Sequence, residues 1–299
     1  MGMQCFEFFG IFVTFIVSDQ ALLATVRAAY PDGVVDAPAG APAVEIRLEL
    51  GEVGDADEDI RVDGARLTLR GRGLRAWADA SKGRAHGVAS ARLVGDPVAL
   101  AGELVDTLLL FLLTRRDRTP VHAAGLLVEG SALVLAGPSG SGKSTLTLAA
   151  MQRGVPILSD DTLYIQLQPV LRVWGFRRPL HVFPQDAPRF TLGERRRGGK
   201  LKAVVPLAPT ALVGSAVAER AIPLLLERGE AVDLRRLDAA ETEAGLMRLD
   251  AGFDLLPRES ARAARALAGA GGWRLTLSRD PDAAIDFLMA RLPSLLAEA

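Results

Sequence analysis

Cysteine is nearly absent: Cys5 is the only thiol among 299 residues. A single thiol closes no internal disulfide and builds no cysteine-based zinc site, and it suits a reducing cytosol. Neither sign of charge dominates. Lys and Arg number 35 against 36 Asp and Glu, a net charge of −1. That balance argues against a general nucleic-acid binder and still leaves room for a local basic cleft. Lysine is scarce, whereas Ala, Leu, Arg and Gly are abundant. There are no internal repeats and no long low-complexity linker. Long apolar runs are also few. Only Phe6–Val17 resembles a membrane or export segment, and it contains Glu7, lacks a basic region ahead of it and has no small-residue cleavage site. It is also shorter than a typical span. Two buried strands, Phe6–Phe9 and Ile11–Val17, are the simpler expectation, and with them a cytoplasmic protein without a membrane role.

What is present centres on Gly137-Pro138-Ser139-Gly140-Ser141-Gly142-Lys143-Ser144. The run fits the G-x-x-x-x-G-K-[ST] phosphate loop in full. Such a turn points successive backbone N–H groups into a nest for phosphate oxygens. Lys143 adds a cation for the terminal phosphates, and the Ser144 hydroxyl suits Mg²⁺. Ala132–Ala136 reads as a buried strand entering the loop. Thr145–Arg153 reads as a helix leaving it, ended by Gly154. The helix N-terminus then aims its partial positive charge at the nucleotide.

The chain ahead of this loop reads as a small α+β unit on an antiparallel sheet, residues 1–95. Ser18-Asp19-Gln20 opens a capped helix that stops before Pro31-Asp32-Gly33. Val44–Leu50 alternates apolar and charged residues, the pattern of a half-buried antiparallel strand. Gly51–Asp59 reads as an acidic turn. Its Asp55, Asp57 and Asp59 lack the rest of a calcium-loop pattern, so a solvated loop is expected. Arg66–Arg70, Leu74–Trp77 and Val88–Val94 continue as short strands. His86 reads as a surface residue. Leu100, Leu104, Val105, Leu108 and Leu109 recur at helical spacing, so residues 96–118 read as a core helix connecting the two halves.

From residue 119 to 299 the order of elements is unusual. Ala124–Val128 and Ala132–Ala136 are separated only by Glu129-Gly130-Ser131, a gap that implies a hairpin. The strand feeding the phosphate loop therefore has an antiparallel neighbour, unlike the parallel sheets of ordinary phosphate-loop enzymes. After the helix, Val155–Ser159 is a strand ending in Asp160-Asp161. Beside a nucleotide, one carboxylate can hold Mg²⁺ while the other accepts the proton of an attacking hydroxyl. Thr162–Gln168 and Val170–Gly175 form a second apparent hairpin.

The stretch Arg118-Thr119-Pro120-Val121-His122-Ala123, the hairpin, the phosphate loop and Arg153-Gly154-Val155-Pro156-Ile157-Leu158-Ser159-Asp160-Asp161 resembles the catalytic domain of HPr kinase/phosphorylase. The resemblance is concentrated in residues 118–165. It implies a core related to that of PEP carboxykinase, with a mixed, largely antiparallel sheet. It also implies ATP- and Mg²⁺-dependent phosphorylation of a serine hydroxyl on a protein partner. Carried over, it makes Lys143 a contact of the β- and γ-phosphates, Ser144 and Asp161 metal ligands and Asp160 the general base. It places His122 near the transferred phosphate; a buried, backbone-bonded histidine is the plainer reading of that residue. The phosphate-binding set is Gly137 to Thr145.

Two departures stand out. The family's E-I-R-G-x-G segment corresponds here to Val173–His181, which keeps Arg177 and Arg178 but lacks the glutamate. Its later V-R-P-G-R-N segment has no match at Val205–Pro209. These gaps suggest a divergent branch similar to the kinases of precursor peptides in lasso-peptide biosynthetic clusters, which also pair a small N-terminal region with this core. Glu194–Lys202 reads as a basic glycine-containing loop. Arg196, Arg197 and Lys200, with Arg177 and Arg178, are candidates for clamping a phosphate or an acidic peptide. The alternatives are a small metabolite as acceptor, or a nucleotide sensor without transfer chemistry. No nucleic-acid or membrane partner is expected; a homo-oligomer stays open. The remainder reads as strands at Ile222–Leu226, Ala231–Leu234 and Trp273–Leu277 and helices at Asp238–Leu249, Pro257–Ala268 and Pro281–Ala297.

Overall fold

The computed structural model describes residues 1–36, 43–176, 178–188, 191–197, 200–206, 217–248 and 256–298, with side chains omitted at 195–197. The chain divides into two compact units, Met1–Arg118 and Thr119–Ala299. The apolar helix Pro97–Thr114 falls inside the first unit and is its core helix. By length and composition it would also cross a membrane, but 61% of it is buried.

The first unit is one eight-stranded sheet. Its strands are β1 (Gly2–Phe8), β2 (Ile11–Val17), β3 (Val34–Val35), β4 (Val44–Leu50), β5 (Asp59–Asp63), β6 (Arg66–Gly71), β7 (Leu74–Asp79) and β8 (Arg84–Ala89), in spatial order β3-β1-β2-β4-β8-β7-β6-β5. The two apolar runs expected at the N-terminus form the β1–β2 hairpin. The Gln20–Ala29 helix is capped by the Asp19 side chain on the Leu22 amide, and the bond to that amide helps hold the Asp19 carboxyl below its usual range. Two sequence expectations change. Val44–Leu50 is parallel to both neighbours, β2 and β8, so the sheet is mixed. Alternation reports that one face is covered, and it says nothing of strand direction. The strand expected at Val88–Val94 instead spans Arg84–Ala89, and Ala91–Val94 turns into helix.

The second unit is built on a six-stranded sheet. β9 (Thr119–Val121) leads into β10 (Ala123–Val128) and β11 (Ser131–Ala136). β10 and β11 form the expected hairpin, turning at Glu129 and Gly130 with φ of 48° and 74°. Positive φ at both central residues matches the twist of the flanking strands. β11 alternates cleanly. Leu133 and Leu135 face one core with the Lys143–Gln152 and Pro281–Ala297 helices, which supply Leu146, Ile285 and Leu288. Ala132, Val134 and Ala136 face the other core, with Leu246, Ala263 and Leu267 from the Ala239–Met247 and Pro257–Ala268 helices.

β12 (Ile157–Ser159) joins this sheet beside β10. β13 (Leu163–Gln166) and β14 (Arg172–Gly175) form the second hairpin in a separate four-stranded sheet. β15 (Leu180–Val182), β16 (Gly193–Arg197) and β17 (Lys200–Val205) make a small antiparallel sheet. The expected basic loop at Glu194–Lys202 is thus mostly ladder, with Glu194 opposite Ala203 and Arg196 opposite Leu201. β18 (Val217–Ala218) extends the four-stranded sheet. β19 (Arg220–Arg228), β20 (Asp233–Leu237) and β21 (Gly272–Leu277) complete the six-stranded one, with β19 parallel to β11 and to β21. The fold is mixed α/β with mixed and antiparallel sheets, as the order of elements in the sequence implies.

Arg153, just beyond the helix that follows the phosphate loop, ties it to the last helix. It donates to Asp282 and, at 2.7 Å, to Asp286. These bonds raise the Arg153 pKa and hold the Asp286 carboxyl below its usual range. A depressed carboxylate stabilises the fold above its unfolded pKa, and that contribution is lost as pH falls through the folded one. The melting temperature of Asp286→Asn should therefore lie slightly below wild type at neutral pH and converge with it below about pH 4. High salt should shrink the gap, because both partners are solvent-facing.

Candidate active site

Strand register decides which residues meet. Ala123 of β10 lies opposite Ala136 of β11, so His122, just before β10, sits beside Gly137, just after β11. Gly125 lies opposite Ser159 of the antiparallel β12, so Asp160 and Asp161 leave the ladder at that same end. β19 runs parallel to β11 with Leu225 opposite Ala136, so Arg228 also projects there.

At this end lies an open cleft of about 530 Å³. One wall is the phosphate loop, from which Ser139, Gly140, Gly142, Lys143, Ser144 and Thr145 line the space. Gly137, Pro138 and Ser141 stand behind them, with the Ser141 amide donating to the Pro138 carbonyl at 3.0 Å. Lys143 is only 7% exposed. Its Nζ donates to the Gly137 carbonyl and, at 3.3 Å, to that of Pro138. Gly142 starts the helix with φ of 109°. A Cβ there would lie 2.9 Å from Arg228 Nη2 and 3.0 Å from Leu277 Cδ1. Gly142→Ala should therefore displace the loop, costing about 1–3 kcal/mol in backbone strain. Nucleotide affinity, read by titration with a fluorescent ATP analogue, should fall about tenfold or more.

The floor carries His122, Asp160 and Asp161. Asp160 is 5% exposed, and its Oδ2 accepts the His181 amide at 3.0 Å, which fixes the carboxylate's orientation. Asp161 Oδ1 lies 3.4 Å from His122 Nδ1. Asp161 Oδ2 accepts the Thr162 hydroxyl at 3.5 Å.

The opposite wall comes from the small sheet and the turn at Pro184–Asp186, and sequence reasoning missed most of it. His181, Phe183, Gln185, Asp186, Lys200 and Lys202 face the cleft. The sheet is held against the Lys143–Gln152 helix by Leu148, Leu180, Val182, Ala203 and Val205. Thr145 Oγ1 donates to Asp186 at 3.3 Å, and Lys202 Nζ sits 3.2 Å above the Phe183 ring. Lysine occurs only at 82, 143, 200 and 202, and all but Lys82 line this cleft. That clustering is a signal the composition contains and linear order hides.

Of the proposed clamp residues, the structure brings Lys200 to the cleft. Arg178 is not among the lining residues; its guanidinium stacks 4.6 Å from the Phe176 ring centre. Arg177 lies outside the described residues, as do the side chains of Arg196 and Arg197. The missing match at Val205–Pro209 falls largely outside them too.

The donor chemistry fits a magnesium nucleotide. Glycines with left-handed backbone and a helix N-terminus form the cradle. Ser144, Asp161 and Asp186 supply hard oxygens within the same cleft. Among the described residues no group of three or more His, Cys, Asp or Glu is arranged to hold a metal alone. Mg²⁺ needs none, since it takes one or two carboxylates together with waters and substrate phosphates.

No protein-family model matches the sequence, and no curated protein matches it. Among solved structures, the Hpr(Ser) kinase/phosphatase from Coxiella burnetii is similar over 61% of this chain and 100% of that one, at 14% sequence identity and a TM-score of 0.33. A likeness at that level transfers no residue's role to this chain.

Proposed function

We propose that the second unit is an ATP- and Mg²⁺-dependent phosphotransferase that phosphorylates a hydroxyl, with serine on a peptide or small protein as the acceptor. The observation carrying this reading is that Lys143 and the phosphate loop share one cleft with Asp160, Asp161 and His122. A nucleotide-binding module needs the first wall. The buried carboxylate on the floor is what transfer to a hydroxyl adds.

ATP would supply the phosphoryl group, and a bound Mg²⁺ would screen its charge. Ser144 and Asp161 would hold the metal, and Asp186 lines the same space as a further carboxylate. Lys143 moves its ammonium from the Gly137 and Pro138 carbonyls to the terminal phosphates and neutralises charge there. The His181 amide orients Asp160 to accept the acceptor's hydroxyl proton. His122 holds Asp161 by its Nδ1, fixing the carboxylate that faces the metal. Lys200 and Lys202 give the open wall a positive charge suited to the γ-phosphate or to carboxylates of the acceptor. The role of the whole unit is then mainly positioning and electrostatics, as phosphoryl transfer requires.

The test is ADP release from Mg-ATP with and without serine-containing peptides. Stimulation by peptide and not by free amino acids or sugars supports the reading. Stimulation by a small metabolite alone transfers the activity to that acceptor class. Nucleotide binding without stimulation by any acceptor contradicts the enzyme.

A further inference from the structure

The first unit carries its own concavity, about 490 Å³, on the outer face of the strands β4 to β8. Its lining includes Arg61, Arg70, Arg75 and Trp77 and the carboxylates of Glu49 and Asp59. Register sets Thr68 opposite Trp77, Trp77 opposite His86, and Arg70 opposite Arg75. Like charges directly opposed on one face of an antiparallel pair destabilise it.

Most charge on this face is compensated within the protein. His86 lies 3.2 Å from Glu49, and Arg61 is 3.0 Å from Asp59. Arg66 faces Asp79, and Arg84 faces Glu45, each at 3.9 Å. Arg70 and Arg75 are different: among the described residues neither side chain makes an ion pair or a hydrogen bond, and Asp59, which lies opposite Arg70 on β5, is bonded to Arg61. Beside them Trp77 is 46% exposed, its ring stacked on His86 at 6.2 Å. Two mutually repelling arginines without an ion pair of their own, next to an open indole, oppose stability and favour an anion beyond Asp59. The guanidinium forks match carboxylates, and the indole offers a flat apolar seat.

We propose that this face binds an acidic peptide segment. A carboxylate sits against the Arg70–Arg75 pair, and a neighbouring apolar side chain lies on Trp77. A long polyanion fits poorly, because Glu45, Glu49, Asp59 and Asp79 lie along the same face. The physiological sense of the site rests on the peptide-kinase reading: the bound segment belongs to the acceptor, and the face recruits it away from the reacting serine.

The test uses the full chain and a dye-labelled decapeptide of alternating Glu and Leu, followed by fluorescence anisotropy at low salt. Binding is expected, to be lost when Gln replaces Glu in the peptide. Arg70→Gln/Arg75→Gln should weaken it about tenfold, and Trp77→Ala should weaken it as well. ATP-analogue binding should stay unchanged. The melting temperature of the double arginine variant should match or exceed wild type, which separates loss of the site from loss of the fold. Equal peptide binding by wild type and the double variant overturns the proposal, as does a preference for a single-stranded oligonucleotide of the same charge. Because binding needs no turnover, capture of a serine-bearing version of this peptide without its phosphorylation would sink the kinase reading and leave this face standing. Transfer indifferent to both arginines would do the reverse.

Discussion

Replacing Lys143 by alanine is expected to lower phosphoryl transfer by about 10²–10³-fold, the cost of removing one preorganised donor from a developing negative charge. The side chain is nearly enclosed, and its amine rests on loop carbonyls in the wall of the cleft, from which it turns to a bound terminal phosphate. Lys143→Arg should rescue little, since the forked guanidinium exceeds the space left by a 7% exposed side chain. Steady-state kinetics decide the matter. A fall in kcat larger than the rise in KM means that Lys143 acts mainly on the transition state. Unchanged transfer in Lys143→Ala would refute its placement.

The second large effect is at Asp160. Asp160→Asn should cost about 10²–10⁴-fold in transfer, the range for a positioned proton acceptor. The amide is nearly isosteric and its oxygen can still take the His181 N–H, so the fold and ATP-analogue binding should survive. A variant that binds nucleotide and transfers at the wild-type rate would leave the floor of the cleft without its chemical role.

Much of this site is legible in the sequence because it is local. The phosphate loop, its feeding strand and its helix are contiguous, and the Glu129-Gly130 turn announces the hairpin that sets His122 beside the loop. The adjacent Asp160-Asp161 pair follows one helix later. What the sequence hides is brought in by register between distant strands. Arg228 reaches the cleft only because β19 runs parallel to β11 and outlasts it. Lys202 arrives on a small sheet whose ladder the glycines at 198 and 199 disguise as a loop, and Asp186 on the turn after its first strand. The parallel direction of Val44–Leu50 was equally hidden, because alternation records which face is covered and nothing about neighbours. The Arg70–Arg75 opposition is likewise a product of the β6–β7 register.

The most direct measurement is intact mass spectrometry of acceptors incubated with Mg-ATP and either wild type or Asp160→Asn. The set should hold serine-containing peptides with and without an acidic segment, a small HPr-like protein and free amino acids. Gain of one phosphoryl group on a peptide, absent with the variant, is the expected result. No mass gain on any acceptor, with ATP still bound by both proteins, would contradict a transferase and leave a nucleotide-binding module.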